Sequence, residues 1–318
     1  MSLTYRDLFT GIGGFAQALH ELDPNAQCYS MSENDKWANK ILDKRFPGIV
    51  NLGDINTINP KTLEPVDLIM GGFPCTDLSI QRGKGRMGLG GQKSGLFFKF
   101  LEIIKQSKPN YFLIENVASM SKANKNLITE MVGVEPIEIN SGLLSAQNRR
   151  RLYWCNWEVP LPEDKGITLM DIKVEDDFKY AYAWSKSYRP AVIACPITKE
   201  LKPASFDERI RYDGKANSLT TSINGTESLN FFTKEPLDFK PRKVFNRHDM
   251  LPYNLGVKGE DWRPINLIEC ARLQTFPDDW CKGLSNHQQY KRFGNAVTKE
   301  VIKYILSYCP GVRNVSKD

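Results

Sequence analysis

Short continuous apolar runs alternate along the chain with segments whose apolar residues recur at helical spacing, the pattern of an α/β sheet protein. Leu3 to Leu8 predicts a first strand and Phe15 to Glu21 the helix that follows it. Gln27 to Met31 predicts a second strand. The helix after it, running to about Phe46, has Asn34 or Asp35 as its cap and Trp37 and Ile41 on one face. Asn51 to Ile55 is expected to end a third strand. Val66 to Met70 is apolar enough for a parallel strand covered on both faces, with Gly71 and Gly72 releasing the chain from it. Ser94 is expected to cap a helix with Leu96, Phe97, Phe100, Leu101 and Ile104 on one face, and Tyr111 to Ile114 is the next buried strand. Ser145 to Arg151 leads into the strand-like run Leu152 to Trp157; if extended, its period of two puts Gln147, Arg149 and Arg151 on one side. From about Pro160 to about Trp262 the alternation fades into a small strand-and-loop region with a polar face. Helix returns at Asn266 to Leu273 and at Val297 to about Leu306.

Composition narrows this picture. The chain has 318 residues, enough for one large domain or two ordinary ones, and it is 41% hydrophobic and 25% charged with no apolar run that could cross a bilayer. It opens directly on a strand-like segment, so no leader peptide is expected. Seven cysteines without a Cys-x-x-Cys pair, and only three histidines, argue against a zinc site or a disulfide framework and for a reducing compartment. The net charge of +6 is mild, but it is distributed unevenly. Gln81 to Lys93 carries Arg82, Lys84, Arg86 and Lys93 among glycines with no acid, and Lys240 to His248 is similarly basic. Such runs are usually solvated surface; two of them suggest a polyanionic partner.

The candidate chemistry sits where strands end, on the rim where open α/β sheets hold their ligands. The first strand runs into the glycine-rich turn Thr10-Gly11-Ile12-Gly13-Gly14, the opening of a nucleotide-binding βαβ unit. Glu33 follows Gly11 by 22 residues, the spacing at which an acid on the second strand meets ribose hydroxyls. Asp54 could accept from an adenine amino group or simply shape a turn. After the fourth apolar run, Pro74 sets the backbone at Cys75, either a reactive thiol or one more buried cysteine. Glu115 ends the neighbouring strand, an expensive place for a carboxylate that does nothing.

Nine segments in order resemble the DNA cytosine-5 methyltransferases: DLFTGIGGF from Asp7, the acid at Glu33, GDI at 53–55, GGFPCTDLS at 71–79, SGLFF at 94–98, ENV at 115–117, QNRRR at 147–151, ECARLQTFPD at 269–278 and GNAV at 294–297. The likeness spans residue 3 to about 306 and matches the middle region only loosely. It implies a Rossmann-like S-adenosylmethionine methyltransferase sheet in residues 1–160 plus 285–318, with a smaller, mainly β/loop target-recognition domain in 161–284. It further implies methyl transfer to carbon 5 of a cytosine flipped out of double-stranded DNA within a short specific sequence.

In that reading Cys75 adds to carbon 6 of the ring, Glu115 holds N3, and Arg151, with Arg149, binds O2 or favours the thiolate. Phe9, Gly11 and Gly13 shape the methionine end of the cofactor pocket, Glu33 takes the ribose, Asp54 and Ile55 frame the adenine, and Leu96, Asn295 and Val297 complete it. Residues 76–93 form the loop that closes over the base, with Ser79, Arg82, Lys84, Arg86 and Lys93 toward DNA, and the region around Thr220 reads bases. No metal and no membrane are required. A monomer is expected, in the cytoplasm and associated with the nucleoid of a prokaryotic or phage-infected cell, with a cognate restriction endonuclease as a candidate partner. Thr76-Asp77 and Ala296 depart from many bacterial members. The rivals are a tRNA cytosine methyltransferase, whose expected Cys-Phe-Thr signature is absent, an inert DNA-binding homologue, and a nicotinamide dehydrogenase suggested by the glycine turn alone.

Overall fold

The computed structural model of the chain describes residues 2–74, 96–174, 177, 179–185, 192–193, 210–211, 215–219, 228–234, 260 and 262–315. They divide into one unit of residues Met1–Asn140, Arg150–Pro162 and Ala296–Asp318 and a second of Ser141–Arg149 and Glu163–Asn295. The chain begins β1 (Thr4–Leu8), α1 (Gly14–Leu22), β2 (Gln27–Ser32), α2 (Lys36–Arg45), β3 (Leu68–Gly72), α3 (Leu96–Ser107), β4 (Tyr111–Val117) and α4 (Lys122–Val132). It continues through β5 (Ile137–Asn140), β6 (Gln147–Asn148) and β7 (Arg150–Cys155), then the short strands β8 (Tyr180–Ser185), β9 (Val192–Ile193), β10 (Ile210–Arg211), β11 (Ala216–Asn217), β12 (Ser228–Thr233) and β13 (Trp262–Pro264). Helices α5 (Leu267–Leu273), α6 (Asn286–Asn295), α7 (Lys299–Leu306) and α8 (Pro310–Val315) close it.

The first unit is built on a six-stranded sheet in the order β2-β1-β3-β4-β7-β5. β2, β1, β3 and β4 pair in parallel, whereas β7 runs antiparallel to both β4 and β5. Four parallel strands therefore end, and β7 begins, on one rim. The apolar runs behave as their pattern requires: Leu68, Ile69, Met70, Leu113, Ile114 and Trp154 are all fully buried. On one side α3 adds Phe97, Phe100 and Ile103 to the core. Helix α7 packs on α1, where Lys299 Nζ meets both carboxylate oxygens of Glu21 at 2.6 and 2.7 Å.

Several sequence expectations change here. Asn51–Ile55 is not a strand: Asn51 makes one isolated bridge to Met31, Gly53 takes φ 70°, and Asp54 caps a 3-10 turn over Ile55–Thr57. Of the two candidate caps for α2, Asp35 is the one used; its Oδ1 accepts from Trp37 N and Ala38 N at 2.8 and 3.0 Å. Gly71 and Gly72 lie inside β3 instead of releasing it, because neighbouring groups occupy the space a side chain would need. Helix α6, unforeseen, occupies a stretch whose apolar positions are too sparse for a clear helical stripe.

In the second unit β12 pairs antiparallel with β8 and β13. Glu269, fully buried at the start of α5, organises the corner: Arg263 reaches it through Nη1 and Nη2 at 2.9 and 2.7 Å, Val174 N donates at 3.0 Å, and Asn266 closes a capping box with it. A carboxylate so deep persists because a guanidinium and two main-chain N–H donors, Val174 N and Asn266 N, satisfy it.

Candidate active site

The rim of the sheet in the first unit begins with the turn after β1. Phe9, Gly11 and Gly13 all have positive φ (57°, 58° and 84°), Gly13 N donates to Thr10 O at 2.9 Å, and Thr10 N donates to Ser32 O at 3.1 Å. A non-glycine residue in the left-handed region, as at Phe9, is strain of the kind that concentrates at ligand sites. A Cβ at Gly13 would run into the Phe46 ring, so this glycine is demanded by packing as well as by φ. Above Gly11 the space is open: a Cβ there meets nothing nearer than Phe9 O at 4.0 Å.

Glu33 lies against this opening. Its Oε2 accepts from Gly11 N at 2.8 Å and its Oε1 from Asp35 N at 2.7 Å. Each oxygen keeps lone-pair capacity for a hydroxyl, which is what a ribose diol offers. Burial, more than any neighbour, pushes this carboxyl above its usual range. Asp54 Oδ1 accepts from Asn56 N at 2.9 Å while Ile55 beside it is buried, so Asp54 shapes a turn. Phe9 is half-buried and packs edge-on against Phe100 at 5.7 Å; Leu96 and Val297 are half-buried as well. An open cradle over a glycine turn, with a carboxylate tethered to it by a main-chain N–H, fits an adenosine-bearing cofactor.

At the next two strand ends the structure brings the expected acid and base together. Glu115 Oε1 lies 3.0 Å from Arg151 Nε, with side chains only 12% and 15% exposed. Glu115 stands opposite Gly72 across the β3–β4 pair, and a Cβ on Gly72 would sit 2.7 Å from its Oε2. The next residue, Asn116, is buried, and its Nδ2 donates to Phe73 O at 3.2 Å. Sequence reasoning assigned Asn116 nothing; the signal was its place directly after the acid, where a period of two turns it to the opposite side. Asp7 was also missed. It is fully buried beneath the glycine turn, accepts from Ala16 N at 3.3 Å, and has a carboxyl that burial pushes well up.

The three aligned polar residues do not form one row. The strand breaks at Arg149: Gln147 and Asn148 pair in parallel with β11, whereas Arg150 onward pairs with β4 and β5. Within the second unit Arg149 Nη1 donates to Leu219 O at 3.2 Å and Nη2 to Gly294 O at 3.4 Å. Asn295, the last residue of α6, is exposed. Cys75, Ser79, Arg82, Lys84, Arg86, Lys93 and Thr220 lie outside the described residues. Among the described residues no cysteine is in a disulfide, and burial holds the Cys28 and Cys155 thiols up at about 12 and about 11. Among the described residues no helix is long and apolar enough to cross a membrane, and no cluster of side chains could hold a metal ion.

A mixed sheet with a glycine turn after its first strand and an acid after its second defines a Rossmann-like fold for an adenosine-bearing cofactor. The sequence profile of the C-5 cytosine-specific DNA methylases matches residues 3–134 and 145–310, and the chain belongs to that family. It is a DNA cytosine-5 methyltransferase that uses S-adenosylmethionine as methyl donor. The Type II methyltransferase M.HpaII of Haemophilus parainfluenzae is 31% identical, over 94% of this chain and 87% of its own length. The orphan methyltransferase M.SPRI of Bacillus phage SPR is 32% identical over 96% of each. In fold, the chain is similar to the Entamoeba histolytica methyltransferase EhMeth, with TM-score 0.66, 19% identity and full coverage of both chains.

Proposed function

We propose that Cys75 is the nucleophile of this methyltransferase and that Glu115 and Arg151 are its partners on the base. The observation that carries this reading is the ion pair between Glu115 and Arg151 at the strand end beside Gly72, with Asn116 holding the carbonyl two residues before Cys75. The Cys75 thiolate forms a bond to C6 of the flipped cytosine and the C5=C6 electron pair becomes available at C5. Glu115 holds the proton at N3, and Arg151 stabilises negative charge at O2 in a site dry enough for both to count. S-adenosylmethionine supplies the electrophilic methyl group. Loss of the C5 proton restores the double bond and expels the thiolate. The raised thiols of Cys28 and Cys155 are poor competitors for this role, because only a thiolate attacks.

Glu33, Phe9, Gly11 and Gly13 are assigned to the cofactor with Asp54, Ile55, Leu96, Asn295 and Val297; Ser79, Arg82, Lys84, Arg86, Lys93 and Thr220 are assigned to DNA. We read residues 1–160 with 285–318 as the catalytic part and 161–284 as the target-recognition part. The compact units depart from this division chiefly at Ser141–Arg149 and along α6. A monomeric, cytoplasmic enzyme is proposed, and the Type II relative makes a cognate restriction endonuclease the candidate partner.

Duplex DNA carrying 5-fluorocytosine tests the mechanism, since fluorine cannot leave C5 as a proton does. A covalent protein–DNA adduct that needs S-adenosylmethionine is expected, and Cys75→Ser should abolish it while leaving cofactor binding intact. An adduct formed equally by Cys75→Ser would sink the assignment.

A further inference from the structure

Arg149 stands apart from its two neighbours. Arg150 pairs with the exposed Glu138, and Arg151 with Glu115. Arg149 is only 5% exposed, and its guanidinium spans two main-chain carbonyls, Leu219 O at 3.2 Å and Gly294 O at 3.4 Å. Main-chain acceptors make this contact a gauge of backbone position, indifferent to which side chains stand there. The planar fork of arginine holds the two acceptors from two separate nitrogens in fixed directions, whereas a lysine would have to reach both from a single nitrogen.

The segment carrying Arg149 is stitched along its length to residues 215–219. Gln147 and Asn148 pair with Ala216 and Asn217, Ala216 N donates to Ala146 O at 2.6 Å, and Ser218 Oγ donates to Asn148 O at 2.8 Å. Lys215, itself buried, reaches Ser145 O at 3.5 Å and Asp164 at 3.2 Å. Leu219 immediately precedes Thr220, assigned above to base readout, and Gly294 immediately precedes Asn295, assigned to the cofactor pocket. Two residues beyond Arg149, Arg151 holds the Glu115 carboxylate.

We infer that Arg149 is a specificity-determining positioning residue: by gripping the backbone that leads into the recognition region, it makes the placement of Arg151 and Glu115 depend on how well that region fits its DNA. This rests on the reading of Thr220, Glu115 and Arg151 proposed above. A near-cognate site that displaces the Leu219 carbonyl breaks the Nη1 arm of the fork and loosens the hold on the strand that carries Arg151. Discrimination then falls in the methyl-transfer step as well as in DNA binding, as in other induced-fit enzymes.

The test uses the full chain with S-adenosylmethionine and a randomised duplex pool read by bisulfite sequencing over time. Arg149→Lys should shrink the ratio of single-turnover rates between the parent's preferred site and sites differing at one pair by about tenfold. Ser218→Ala, which removes a neighbouring stitch, should move the ratio in the same direction by less. Arg150→Gln should keep the parent's profile. An Arg149→Lys enzyme slowed by one common factor at every site, or one with the parent's ratio, overturns the inference while leaving the proposed mechanism standing. A parent that methylates no duplex overturns both.

Discussion

Alanine at Gly72 places a methyl group against the proposed catalytic carboxylate. The built Cβ lies 2.7 Å from Glu115 Oε2, about 0.7 Å short of ordinary contact at 3.4 Å. Strand β3 cannot yield, because its other side is fixed: a Cβ at Gly71 would penetrate the Leu8 carbonyl oxygen across the β1–β3 pair. The Glu115 side chain must therefore swing, lengthening its 3.0 Å contact with Arg151. Weakening one charged hydrogen bond costs about 1.5–3 kcal/mol at most. Replacing a strand glycine by alanine returns about 0.5–1 kcal/mol, so the net loss of stability is about 0.5–2.5 kcal/mol. Catalysis is less forgiving: a misplacement approaching 1 Å costs about 10²-fold. Gly72→Ala should thus keep its unfolding midpoint within about 10 °C of the parent, bind S-adenosylmethionine and DNA normally, and lose about 10- to 100-fold in kcat for methyl transfer from tritiated donor. Gly71→Ala should yield no folded protein. Parental kcat in Gly72→Ala would refute the placement of Glu115, and so would an activity loss matched by unfolding at the assay temperature.

Two further outcomes follow from buried groups around the rim. Asn116→Ala leaves the Phe73 carbonyl without its side-chain donor, so the unfolding midpoint should drop by the equivalent of about 1–3 kcal/mol, with a lower kcat and unchanged cofactor affinity; an unaltered midpoint and kcat would remove Asn116 from the site. Asp7 carries a carboxyl raised by burial, so the folded state holds a proton that the unfolded chain releases near the usual value of 3.8. The stability this gives is full below that value and is lost as pH rises toward the folded pKa, at about 1.4 kcal/mol per pH unit. Asp7→Asn, which keeps the acceptor for Ala16 N, should therefore gain on the parent as pH rises from 4 toward 7 in chemical-denaturation curves; a constant difference would exclude the titration of Asp7.

Much of the first unit was legible in the chain because its signals are local. Apolar runs at Val66–Met70 and Tyr111–Ile114 could only be buried strands, and the glycine turn after β1 followed from residues that tolerate positive φ. The spacing from Gly11 to Glu33 marked an acid at the end of the second strand, and that carboxylate accepts from Gly11 N at 2.8 Å, a contact the spacing did not foresee. The resemblance then supplied roles that spacing could not, and the family match agrees with it.

What tertiary structure decided concerns groups that meet across long sequence separations. Gly71 and Gly72 looked like turn residues, but β1 and Glu115 claim the space beside them, a fact that exists only once three strands are side by side. Gln147, Arg149 and Arg151 looked like one row because an unbroken strand has a period of two. Gln147 and Asn148 pair with β11, whereas Arg151 onward pairs with β4, so the strand breaks at Arg149, whose guanidinium goes to Leu219 and Gly294. Local sequence thus determined most elements of the first unit and where chemistry could sit, though not the turn at Ile55–Thr57 or, in the second unit, helix α6. Strand pairing determined which side chains could reach each other, because hydrogen bonds and steric exclusion act on neighbours in space.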